Sequence, residues 1–89
     1  MTKYAVELIF DKDEDQRLAV RPAHRVYLEE LTRQGKVVAA GPFGDDTGAL
    51  IVYDVQDEME LKAILDVDPY FESDTVSIAS QREWNQILP

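Results

Sequence analysis

The sequence predicts an α+β domain: one four-stranded antiparallel sheet with two helices on one face. Three observations carry this. Stretches with strand patterning and stretches with helical spacing alternate in the order β-α-β-β-α-β. The second and third strands are joined by a glycine-rich turn, which makes them a hairpin. Each helix then serves as a crossover, and the right-handed rule places both on the same side of the sheet. This arrangement is the ferredoxin-like plait.

Each element has its own signature. Lys3–Phe10 alternates, with Tyr4, Val6, Leu8 and Phe10 on one face against Ala5, Glu7 and Ile9 on the other, and reads as a strand. Asp11–Gln16 reads as a charged loop. Arg21–Gly35 reads as the first helix, with Pro22 at its first position, His24, Tyr27, Leu28 and Leu31 as its apolar stripe, and Gly35 as its stop. Lys36–Ala40 is a short strand. Gly41–Gly48, with three glycines and one proline in eight residues, is the turn. Ala49–Val55 is a nearly continuous apolar strand. Asp57–Asp68 is the second helix: Asp57 and Glu60 form a capping box, Leu61, Ile64 and Leu65 its buried stripe, and Pro69 ends it at Asp68. Asp74–Ser80 alternates as the fourth strand. Trp84, Ile87 and Leu88 in the tail need burial on the domain or on a partner.

At 89 residues with 45% apolar content, a single domain spanning 1–89 is expected, with one core. No apolar run approaches the roughly 20 residues of a membrane helix. The N-terminus lacks a signal-peptide pattern, so the expected location is cytoplasmic. There is no cysteine, which excludes disulfides and thiolate metal sites. The net charge of −9 argues against nucleic acid and anionic membranes as partners. The charge is uneven: Arg17, Arg21, Arg25, Arg33 and Lys36 leave residues 17–36 at +3 and the rest at −12. That stretch is either ordinary solvated helix charge or a positive edge for a small anionic ligand.

Tracing chain directions sorts the unusual residues to one end. With the first strand running up, the start of the first helix, the glycine-rich hairpin and the Asp68–Phe71 segment all lie at the top. His24, the only histidine, therefore shares that end with Asp68 and Tyr70, although 44 positions separate His24 from Asp68. Loops gathered on a rigid scaffold are where sites are built. The helix N-terminus and burial both disfavour an imidazolium at His24, whereas a carboxylate such as Asp68 would favour it and fix one ring nitrogen as donor. That combination suits a general acid or base. The plainer alternatives are a packed, hydrogen-bonded histidine and an aspartate that makes a pre-proline turn. Gly41 and Gly44 could let the backbone approach a ligand, or merely shape a hairpin. The turn is not a phosphate-binding loop, since it lacks a Gly-Lys-Ser/Thr ending and a following helix. No His/Asp/Glu spacing makes a metal site, and Ser73, Ser77 and Ser80 lack a nucleophile context.

The run from Arg17 to Phe43, with "RPAHRVYLEEL" inside it, followed by "GAL" and then "DVDPYF", resembles the YciI-like (YCII-related) family. The resemblance rests on His24 in an Arg-x-x-His helix start, Gly41-Pro42 after the second strand, and Asp68-Pro69-Tyr70. It implies a ferredoxin-like fold, a homodimer of the dimeric α+β barrel kind, and a site centred on His24 and Asp68. One branch of that family removes chloride from a chlorinated hydroxyhydroquinone. The hairpin here is shorter than in some relatives.

Two readings follow. In the first, the chain is a cofactor-independent acid–base enzyme of lyase, isomerase or dehydrochlorinase type acting on a small cyclic or aromatic metabolite. His24 moves the proton and Asp68 orients it; Gly41, Pro42, Phe43 and Tyr70 wall the pocket, and Arg21 or Arg25 meets an anionic group. In the second, the chain is a non-catalytic dimeric ligand-binding or accessory domain in which His24 is structural. Either way a homodimer is expected, because the third strand is apolar on both sides.

Overall fold

The computed structural model describes residues 1–89. In chain order it contains β1 (Thr2–Phe10), α1 (Glu14–Arg33), β2 (Val37–Pro42), β3 (Gly48–Val55), α2 (Glu58–Asp66), a 3-10 helix (Pro69–Glu72) and β4 (Val76–Glu83). The four strands form one antiparallel sheet in the order β2-β3-β1-β4. This is the predicted βαββαβ arrangement, with β1 and β3 at the centre.

The core follows from the period of the strands. On β1, Tyr4, Val6 and Leu8 point to the helices and lie opposite Tyr53, Ile51 and Ala49 of β3, all buried. Leu31 from α1, Leu61, Ile64 and Leu65 from α2, Tyr70, and Val37, Val55 and Val76 from the strands complete the cluster. Full burial of a side chain such as Leu8 contributes roughly 1.5–3 kcal/mol. The other face holds Ala5, Glu7 and Ile9 on β1 and Leu50 and Val52 on β3. There Ile9 and Leu50 are half-exposed, at 51% and 39%. The register shifts where β4 bulges at Ala79, so that Leu8 faces Ile78 and Glu7 faces Ser80.

The helix ends are chemically specified. Asp13 caps α1 by accepting from Asp15 N, and Glu14 and Asp15 complement the helix dipole. At the other end Gly35 takes φ 77°, Lys36 N donates to Leu31 O and Gly35 N to Thr32 O, a Schellman closure. At α2, Asp57 Oδ1 accepts from Glu60 N at 2.9 Å, while Glu60 Oε1 accepts from Gln56 N rather than from the cap residue itself.

Three expectations are corrected. Residues 14–16 are not loop but the first turn of α1, which therefore begins well before Arg21. Pro22 lies inside the helix. Its ring removes the hydrogen bond to the Leu18 carbonyl, but Leu18 and Pro22 are both on the exposed side, where water can satisfy that oxygen. Gly41 and Pro42 are the end of β2, so the turn proper is only residues 43–47. Within it Asp46 adopts φ 59°, and Asp45 Oδ1 accepts from Thr47 N and Oγ1. Gly48 is the glycine that packing requires: a Cβ there would strike the Leu8 carbonyl oxygen.

Candidate active site

The early start of α1 changes the surroundings of His24. It sits ten residues beyond Glu14, about 15 Å along the axis, out of reach of the helix N-terminus. The dipole argument for its charge state therefore does not apply. What acts on the ring is its immediate contacts.

His24 is 6% exposed and Asp68 2%, and His24 Nδ1 lies 2.8 Å from Asp68 Oδ1. A carboxylate only accepts, so this contact suits the tautomer with the hydrogen on Nδ1, in which Nε2 of a neutral imidazole is the acceptor. Asp68 is placed by local chemistry. It precedes Pro69, cannot continue α2, and caps the 3-10 helix by accepting from Tyr70 N at 2.9 Å through the same Oδ1. That turn lays the Tyr70 ring flat on the imidazole, with centroids 3.8 Å apart and planes 9° from parallel. Tyr70 in turn meets Phe10 edge-on at 5.8 Å. Asp68 Oδ2 is buried without a protein partner. Burial pushes the Tyr53 and Tyr27 phenols up, and the Asp68 charge adds to the rise in both. Both hydroxyls therefore stay neutral beside the carboxylate.

A cavity of about 300 Å³ opens between α1 and the β2–β3 end of the sheet. Arg17, Arg21, His24, Arg25 and Leu28 supply the helix wall; Ala40, Gly41, Pro42, Ala49 and Ile51 the strand wall; Phe10, Asp46 and Tyr70 close it. Of the residues expected to form a site, His24, Tyr70, Arg21, Gly41 and Pro42 line this one cavity. Asp68 stands behind the imidazole. Phe43 does not line the cavity; it is 38% exposed and lies beside Gly48 on the hairpin. No three His, Asp or Glu side chains converge closely enough to hold a metal ion.

Arg17, counted in the sequence only as one charge of the basic 17–36 stretch, proves to be part of the cavity wall. It is 2% exposed, and its Cζ lies 4.2 Å over the Phe10 ring. The signal was present: 17, 21, 24 and 28 share one helical face, but the pattern reads as helix only once the helix is started at Glu14.

The family is then decided by a match that spans nearly the whole chain: the YCII-related domain model fits residues 2–85. The chain belongs to the YCII-related family. The structure also resembles that of the 5-chloro-2-hydroxyhydroquinone dehydrochlorinase from Burkholderia phenoliruptrix AC1100, in complex with 2,5-dihydroxybenzoquinone. The likeness covers 93% of this chain and 92% of that one, with a TM-score of 0.66 and 20% identity. It shows the fold alone, the ferredoxin-like βαββαβ arrangement already seen in the sheet order. No curated protein matches the chain. No helix is long and apolar enough to cross a membrane.

Proposed function

We propose that this YCII-related protein is a small-molecule enzyme that uses His24 and Asp68 for acid–base chemistry on a small cyclic or aromatic metabolite. The observation that carries the reading is the buried His24–Asp68 contact at 2.8 Å, with the imidazole in a cavity wall. Asp68 fixes the tautomer and stabilises the imidazolium that forms. Nε2 takes a proton from a C–H or O–H of the substrate. The electron pair left behind relocates within the ring and Nε2 returns the proton to another ring atom, an isomerisation, or it expels an anionic leaving group while the proton passes from Nε2 to solvent, an elimination. Tyr70, stacked on the imidazole, restrains its rotation. The volume of about 300 Å³ is at the small end for ligand pockets and suits a single ring.

Asp68 Oδ1 serves two donors, which also favours a second reading: a structural clamp joining α1 to the 3-10 helix of a ligand-binding or accessory domain. One variant separates the two. An asparagine at 24 keeps a donor near the Nδ1 position and removes Nε2. If His24 is catalytic, His24→Asn folds cooperatively and loses turnover in a screen of ring hydroxy acids, quinols and lactones. Full turnover by that variant sinks the role.

The reading includes a homodimer, supported by the half-exposed Ile9 and Leu50 on the sheet face away from the helices and by the exposed Ile87 and Leu88. A monomeric mass in solution would count against it. A cytoplasmic location belongs to the same proposal, and so does a mechanism without a cofactor.

A further inference from the structure

Arg17 is a buried cation that the protein leaves incompletely bonded. Its Nε is buried with no hydrogen-bond partner. Its two ion pairs, to Asp46 Oδ2 and Glu14 Oε1, span 3.8 and 4.0 Å, beyond hydrogen-bond reach. Both of those carboxylates are well exposed, at 60% and 65%, so solvent weakens each pair. A guanidinium is rarely buried without a bonded partner. Phe10 lies against it, with Cζ 4.2 Å from the ring centroid, and the unpaired N–H donors of the guanidinium match a planar oxyanion.

We propose that Arg17 receives the carboxylate of the substrate, which makes the substrate class small single-ring organic acids. This rests on the acid–base reading above and adds a binding residue to it. Arg17 and His24 are seven residues apart on one helical face, two turns or about 10 Å. A ring held by its carboxylate at Arg17 presents its far edge to Nε2 of His24. Arg21 and Arg25, also on the wall, add positive potential, and Asp46 is the only acid there. In a chain of net charge −9, the cavity is thus the place that attracts an anion. Asp46, on its exposed hairpin, stands near Arg17 where the ligand carboxylate would bind and competes with it.

The test uses benzoate and its neutral isostere benzamide, titrated into the full chain and followed by the His24 ring resonances in NMR. Benzoate is expected to shift them and to bind about tenfold or more tightly than benzamide, the worth of one charge-assisted hydrogen-bonded contact. Arg17→Met should remove that preference, weakening benzoate far more than benzamide, whose neutral carbonyl accepts only an ordinary hydrogen bond from the guanidinium. Asp46→Asn, an exposed change that tolerates the positive φ, should tighten benzoate binding and serves even if Arg17→Met fails to fold. Equal binding of the two probes, no binding of benzoate, or indifference of benzoate to Asp46→Asn would overturn the assignment. The acid–base reading fails by a separate route, a His24→Asn variant that retains turnover.

Discussion

His24 and Arg17 occupy the same face of the same helix, two turns apart, and both are almost wholly buried, yet the protein treats them differently. His24 is held on two sides, by the Asp68 carboxylate at Nδ1 and by the Tyr70 ring. Arg17 is held only by an aromatic face and two long ion pairs. One group is completed by the fold and the other is left to be completed by something else. That is the expected division between a reacting group, whose geometry must be set before substrate arrives, and a binding group.

The contrast breaks first at His24. Removing Nε2 with His24→Asn should lower turnover by about 10²–10⁴-fold, the usual weight of a general acid or base, with thermal unfolding still cooperative. Next is stability. Asp68→Ala strips the acceptor from His24 Nδ1 and Tyr70 N together and should cost about 1–3 kcal/mol in denaturant unfolding. Arg17→Met should cost less than that or even stabilise, because an incompletely bonded buried charge is replaced by an apolar chain of similar length. If Arg17→Met proves the more damaging of the two, the asymmetry drawn here is wrong.

How much of this was legible in the sequence depends on how local each signal is. The faces of β1 could be read because alternation is a property of eight consecutive residues, and the α2 start because Asp57 and Glu60 cap within one turn. The start of α1 could not. Its first turn, Glu14–Arg17, is charged, and Pro22 looks like an N-terminal proline while lying on an exposed face that tolerates it. The error carried over to His24, placed near a helix end it does not occupy. The meeting of His24 with Asp68 could be expected from chain directions alone. The row His24–Tyr70–Phe10–Arg17 joins three separate segments by side-chain contacts, which spacing does not encode. Phe43 illustrates the converse: proximity along the chain to Gly41-Pro42 did not bring it into the cavity.

A smaller effect sharpens the picture behind the imidazole. Tyr53 is fully buried and its hydroxyl has no protein partner. Tyr53→Phe should leave stability unchanged or raise it by up to about 1 kcal/mol at neutral pH. Burial and the Asp68 charge raise the folded-state pKa of Tyr53 above its usual value. Below pH about 10 both states keep the proton; above it the unfolded chain loses the proton first, so the stability that Tyr53 contributes is lost as pH rises. The alkaline fall in melting temperature should be shallower in Tyr53→Phe than in the wild type.

The most direct test of the His24–Asp68 assignment is ¹⁵N NMR of the single imidazole with and without a bound ring ligand. The expected result is a protonated Nδ1, a bare Nε2, and a shift concentrated at Nε2 when the ligand enters. A protonated Nε2 with a bare Nδ1, or a ring indifferent to every ligand that binds, would contradict it.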